Sequence, residues 1–343
     1  MKNKKIHLEV IRIIALICII YNHTGERGNT VYQFTNGIIT FWFSLIADIL
    51  CKIGVPLFLM ITGALLFEKE ESWQQVYSKR VWRIIKVIIL VTIIRYLYEC
   101  FVVNTYIFSV TQLVRVILTG ELFVPYWFLY AYLSILLVLP FLRKMIQNMD
   151  VKEMHLMTTL ILFFTTILPF VSTMLQWKFE LSFMLGTVCC YCILGYYLEN
   201  VLALYIDKKK KIAIAGLLLL SCVALTCWMV VKDRSITGVV ADWNSGILVI
   251  PIAISIYVLV KEIFEKRAMQ RWLQNLILQI GSCAFGIYLI EDYLRNGLAF
   301  IFDLFAPYIT TLPACVIWLI AVVIVGIVII SIMKKIPLLK DIL

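Results

Sequence analysis

The chain has 343 residues, 62% of them hydrophobic and 15% charged, with a mean hydropathy of +0.95. Water-soluble domains run nearer half apolar and a quarter charged, so this composition excludes one and implies a polytopic membrane protein. The net charge of +10 does not imply a nucleic-acid partner, because its placement between apolar runs accounts for it.

Apolar runs of ~17–25 residues, each enough for ~30 Å of hydrocarbon, recur at 8–24, 41–67, 84–103, 124–142, 156–176, 181–199, 212–231, 246–264, 276–301 and 313–333. The reading is an all-α bundle of about ten membrane helices forming one domain over residues 1–343. Lysines and arginines crowd alternate connections: Lys2, Lys4 and Lys5; Lys69, Lys79, Arg80, Arg83 and Lys86; Arg143, Lys144 and Lys152; Lys208–Lys211; Lys261, Lys266, Arg267 and Arg271; Lys334, Lys335 and Lys340. The other connections carry only Arg27, Arg115, Lys178, Lys232 and Arg234. The positive-inside rule then places both termini in the cytoplasm of a multi-pass cell-membrane protein. No cleavable signal peptide is expected, because Glu9 and Arg12 interrupt the first apolar run.

The first span carries Glu9, Arg12 and His23. Ionisable groups inside a membrane are expensive and mark function by default. Arg12 and His23 share one helical face, roughly 16 Å apart along the axis, and Glu9 lies one turn before Arg12. Taken singly, Arg12 is equally consistent with a snorkelling side chain and His23 with a helix cap. The polar stretch Glu26–Thr40 is an outer loop. In the second span Asp48 and Lys52 have pairing spacing, while Pro56 and Gly63 bend or thin the helix. Ser72 and Gln75 have capping-box spacing, so a short interfacial helix starts there. Arg80 and Arg83, one turn apart, present two guanidinium forks suited to phosphate; ordinary topogenic charge explains the pair alone as well.

Further along, Arg95 and Glu99 pair at i,i+4, and Val110–Leu118 is an amphipathic run for the outer surface. Trp127 opens the fourth span, as part of an aromatic belt or as a stacking wall for a sugar. Phe179, Glu180, Asp233, Arg234 and Asp242 are outer-loop residues. The ninth run holds Glu291, Asp292 and Arg295, which must face the bundle interior, water or one another. There, spacing pairs Glu291 with Arg295 and turns Asp292 about 100° away. The ten cysteines lie mostly inside spans as small apolar filler, and no metal site is expected.

An Arg and a His separated by ten residues in the first span, GVPLFLMITGALL at Gly54–Leu66, Arg80-Val81-Trp82-Arg83, YWFL at Tyr126–Leu129 and FGIYLI at Phe285–Ile290 together resemble the acyltransferase 3 family of membrane-bound acyltransferases. Where many relatives have a His after the late YLI, this chain has Glu291, so no role of that His is carried over. The resemblance implies O-acyl transfer, most often of acetyl, from acyl-CoA (acetyl-CoA) in the cytoplasm to a hydroxyl of an extracytoplasmic glycan or lipid-linked saccharide. His23, with Arg12 and Glu9, then carries the catalytic work: a histidine exchanges a proton near neutral pH or carries the acyl group itself. Arg80 and Arg83 hold the CoA phosphates, and Trp127, Glu291 and Asp292 contact substrate. The alternative is a transporter of a small polar solute or lipid-linked saccharide, which predicts inverted repeats with matching broken helices; none is visible. The acceptor, the acyl group and the oligomeric state are left open.

Overall fold

The computed structural model describes residues 5–35, 37–177, 186–202, 207–237, 246–265, 267 and 269–340. Lys2, Lys4, Lys178, Phe179, Glu180, Asp242, Lys266 and the first five residues of the sixth apolar run lie outside the described residues. Among the described residues the regular elements are all helices. The principal ones are α1 (Ile6–Asn22), α2 (Ile38–Cys51), α3 (Gly54–Leu66), α4 (Trp82–Phe101), α5 (Val110–Thr119), α6 (Trp127–Gln147), α7 (Val151–Leu162), α8 (Gly186–Tyr196), α9 (Lys208–Thr237), α10 (Val249–Phe264), α11 (Arg271–Gly297), α12 (Ala299–Ile309) and α13 (Thr311–Met333).

A helix stands at each apolar run, and among the described residues six helical stretches are long and apolar enough to cross a membrane: Ile38–Leu66, Val124–Gln147, Val151–Leu175, Lys208–Ser235, Arg271–Gly297 and Thr311–Met333. The stretch carrying Glu291, Asp292 and Arg295 is one of them. The remaining helices at predicted spans are shorter or more charged. Helix α1 has 17 residues, α10 has 16, and α4 carries Arg83, Lys86, Arg95 and Glu99. The outer face of α13 shows why the medium is lipid. Val316, Ile320, Ile324, Val328 and Ile332 recur every four residues and are all exposed, while Cys315, Leu319, Val322 and Ile330 are buried on the other side. Water does not stabilise an uninterrupted aliphatic stripe of that length, whereas hydrocarbon does.

The chain forms two compact units. The first comprises Met1–Leu66 and Asp150–Ile332. At its centre α1 packs against α3, α10 and α11, burying Leu8, Ile11, Ala15 and Ile19 on successive turns. The second apolar run is not one continuous helix. It breaks at Lys52–Ile53, four residues before Pro56, whose missing N–H and bulky ring disfavour a helix through that turn. The Cys51 carbonyl at the break accepts from Asn22 Nδ2 at 2.8 Å. Asp48 pairs with Lys52 at 3.4 Å, as its spacing predicts.

Helices α3 and α8 approach backbone to backbone. A Cβ on Gly63 would sit 1.8 Å from the Cys192 carbonyl oxygen, and one on Gly195 would sit 1.9 Å from the Met60 carbonyl oxygen. Lipid tails are as apolar as leucine, so such helices gain chiefly by close packing, which small residues permit.

The second unit comprises Phe67–Met149 and Met333–Leu343. Ser72 and Gln75 form the predicted capping box, with Gln75 N–H donating to Ser72 Oγ at 3.3 Å and Ser72 N–H to Gln75 Oε1 at 3.1 Å. A wider π-helical turn, Val76–Val81, links this cap to α4. Tyr96 of α4 packs against Val116 and Leu113 of α5, so the amphipathic run buries one face within its own unit. Its other face, Val110, Val114 and Leu118, is exposed.

Candidate active site

Helix α1 positions the residues singled out in its sequence. Arg12 Nη1 donates to Glu9 Oε2 at 2.5 Å, one turn apart as predicted. Glu9 is buried against Gly281 of α11, where an added Cβ would come within 2.2 Å of Oε2. Glycine at 281 therefore makes room for the carboxylate. Among the described residues nothing accepts from the remaining guanidinium N–H groups of Arg12.

His23 caps the other end of α1, its N–H donating to the carbonyl of Ile20 at 3.2 Å. Its ring reaches across to α11, where Nδ1 lies 2.7 Å from Glu291 Oε1. The histidine side chain is 25% exposed and the glutamate 1%. An ionised carboxylate only accepts hydrogen bonds, so the ring hydrogen of the neutral imidazole sits on Nδ1. The Nε2 lone pair then points away from the glutamate, and no described residue bonds it. This is the relation that a carboxylate bears to the base of a hydrolytic triad: it fixes tautomer and orientation and balances charge on the ring.

Arg295 closes the group into a ring. Its Nε donates to Glu291 Oε2 at 2.5 Å, its Nη1 to the backbone carbonyl of His23 at 2.5 Å, and its Nη2 to Asp292 Oδ1 at 3.0 Å. The predicted Glu291–Arg295 pair is present. Asp292 does not stand apart from it, because one guanidinium reaches carboxylates both three and four residues back. Two of the three bonds lie within α11; the one to the His23 carbonyl ties it to the end of α1.

Arg80, Arg83 and Trp127 belong to the second unit. Arg80 does not present its fork outward. Its Nε and Nη2 both donate to the Glu71 carboxylate, at 3.0 and 2.6 Å. Arg143 of α6 donates from Nη2 to the same carboxylate at 3.3 Å and from Nη1 to the Glu71 carbonyl at 3.1 Å. Chiefly through the Arg80 hydrogen bonds, the Glu71 carboxyl is lowered to about 2. Arg83 is exposed at the start of α4. Trp127 is half-exposed at the start of α6, edge-on to Phe128.

The sequence reading did not pair His23 with Glu291, or Arg80 with Glu71. It also missed a third cluster, at the N-terminal end of α1. His7 Nε2 lies 3.2 Å from both oxygens of Glu199, which also accept from Lys5 Nζ at 2.9 Å and Tyr257 Oη at 3.1 Å. Lys261 Nζ, 3.4 Å from Glu199, donates to the carbonyls of Leu198 and Glu199. With Glu265, His7 and Glu199 gather three ligand-type atoms within 4.8 Å of one another. Two ammonium groups already neutralise Glu199, so the charge a metal would supply is present without one.

With this geometry in view, the sequence matches the family described as an acyltransferase domain across residues 6–333. The chain belongs to the acyltransferase 3 family. No curated protein and no solved structure matches it. The match makes this helical membrane protein an acyltransferase, and it covers the residues of the clusters except Lys5. For an acyltransferase, a histidine oriented by a buried carboxylate and open at its other nitrogen is a serviceable base or acyl carrier.

Proposed function

We propose that this acyltransferase moves an acyl group, acetyl in the simplest case, from acyl-CoA on the cytoplasmic side to a hydroxyl of an extracytoplasmic glycan or lipid-linked saccharide. The membrane arrangement is about ten spans with both termini inside, as the loop charges suggest. The observation that carries the reading is the His23–Glu291 pair with Nε2 open.

In direct transfer, the acceptor O–H gives its proton to His23 Nε2 while its oxygen attacks the thioester carbonyl. The C–S bond then breaks, and the departing CoA thiolate takes the proton from Nε2. In two-step transfer, Nε2 itself attacks the thioester carbonyl, the C–S bond breaks and CoA thiolate leaves; the acceptor oxygen then attacks the acyl-imidazolium, the C–N bond breaks to free the imidazole, and the acceptor proton ends on the thiolate. Both routes use the same orientation of the ring, with Glu291 balancing the charge it acquires and Arg295 holding Glu291. Arg12, with N–H groups left over from Glu9, suits the amide and pyrophosphate oxygens of the CoA arm. Arg80 and Arg83 serve its phosphates. Trp127 is assigned to substrate contact.

The test uses purified wild type, His23→Gln and Glu291→Gln with acetyl-CoA and envelope glycan fractions, followed by mass spectrometry of the glycans. Acylation by wild type and its loss in His23→Gln, with acetyl-CoA binding retained, is the expected result. Substantial acylation by His23→Gln overturns the role of this residue. An acyl adduct trapped on His23 selects the two-step route.

A further inference from the structure

Arg80 and Arg143 come from different elements of the second unit, the π-helical turn Val76–Val81 and α6, yet both guanidinium groups close on one carboxylate. Arg143 is almost completely buried. Beside it lies a cavity of about 770 Å³, with Lys69, Glu71, Trp73, Tyr77, Arg143 and Lys144 in its wall. That is within the range of ligand pockets, roughly 300–1,000 Å³. Trp73 and Tyr77 stand edge to face, 6.2 Å between centroids, and Trp73 is exposed. Counting Glu70, which also lines the cavity, the four cations Lys69, Arg80, Arg143 and Lys144 outnumber the two carboxylates.

Forks that hold a carboxylate by two oxygens also fit a phosphate, which offers more oxygens and more charge. An aromatic wall beside them suits a flat base. We propose that Glu71 is a built-in stand-in for a ligand phosphate: a phosphate monoester or pyrophosphate bearing an aromatic base enters this cavity, takes Arg80 and Arg143 from Glu71, and turns the carboxylate out. The inference rests on the acyl-CoA reading for the identity of that phosphate, which is then on the nucleotide end of the donor. Two properties favour exchange by a competing anion. The Glu71 carboxyl titrates near 2, so proton uptake does not release the arginines near neutral pH. The carboxylate also lies at the edge of a cavity large enough for its replacement.

The experiment measures binding to the purified full-length protein of acetyl-CoA, of acetyl-CoA lacking the 3′-phosphate, and of pyrophosphate. Isothermal titration gives affinity. The fluorescence difference between wild type and Trp73→Phe reports occupancy of the cavity. Glu71→Gln, with both forks released, is expected to bind acetyl-CoA about ten-fold more tightly, with a smaller gain for the donor lacking the 3′-phosphate. Arg143→Ala is expected to weaken binding. Wild-type binding that Glu71→Gln leaves unchanged or weakens overturns the stand-in role and leaves the donor reading intact. If acetyl-CoA does not bind but pyrophosphate, or nanodiscs containing anionic phospholipid, alters the Trp73 signal, the donor reading falls and the phosphate comes from a lipid headgroup. Should Glu71→Gln not fold, wild type decides: a Trp73 signal unmoved by any of these ligands overturns the proposal.

Discussion

Helix α1 carries a histidine paired with a glutamate at each end, and the two pairs are built differently. At the N-terminal end His7 is buried, and Glu199 is bonded by Lys5, His7 and Tyr257, so burial closes the pair off. At the C-terminal end Glu291 is equally buried, but the imidazole of His23 is partly exposed and its Nε2 is unoccupied among the described residues. The same two side chains thus form an enclosed pair at one end and, at the other, a pair whose imidazole is open to an incoming molecule. Residue type marks the cost of putting such a pair in a membrane; the exposure of the imidazole separates the two pairs.

The comparison breaks most sharply with the histidines. His23→Gln is expected to reduce acyl transfer by up to about 10⁴-fold, measured as acylated glycan per mole of folded protein. His7→Gln should keep wild-type transfer per folded molecule; an equal loss from both would end the distinction. Next in size is Glu199→Gln. It leaves the buried Lys261 without its carboxylate and should destabilise the protein by about 3–5 kcal/mol, read as a lowered Tm in detergent, with the surviving folded fraction still active. Glu291→Gln tests the opposite pattern. An amide N–H facing Nδ1 favours the tautomer with its hydrogen on Nε2, so transfer should fall by about 10²-fold with acetyl-CoA affinity unchanged. Asp292→Asn should do least. It takes the charge from one of three Arg295 bonds, and a change in transfer beyond about three-fold would give Asp292 a role of its own.

Local pairings were legible in the sequence. Glu9–Arg12, Asp48–Lys52, Arg95–Glu99 and Glu291–Arg295 all form at the helical spacings that suggested them, because one turn fixes who can touch whom. His23–Glu291 joins positions 268 apart and Arg143–Glu71 positions 72 apart; no helical period connects them. A signal for the first pair was nevertheless present. Two spans each carried a costly polar face, and in hydrocarbon such faces tend to find one another. Helix positions were legible too, from apolar length. The break at Lys52–Ile53 was less so: Pro56 announced a disturbance, but that Asn22 would take up the carbonyl at the break depends on how α1 lies against it.

The paired glycines of α3 and α8 bear on how a donor and an acceptor reach the protein. Each backbone is seated in a notch that the other helix provides, Gly63 under Cys192 and Gly195 under Met60. Sliding one helix along the other would drive a Cβ into a main chain, and rolling it would do the same within a fraction of a turn. Such a joint behaves as a keyed post, free to part but not to shear. Helix α1 leans on α3, so the histidine at its tip is carried by a mounting that holds its bearing from one turnover to the next. Breathing that admits substrate belongs to elements outside this keyed pair.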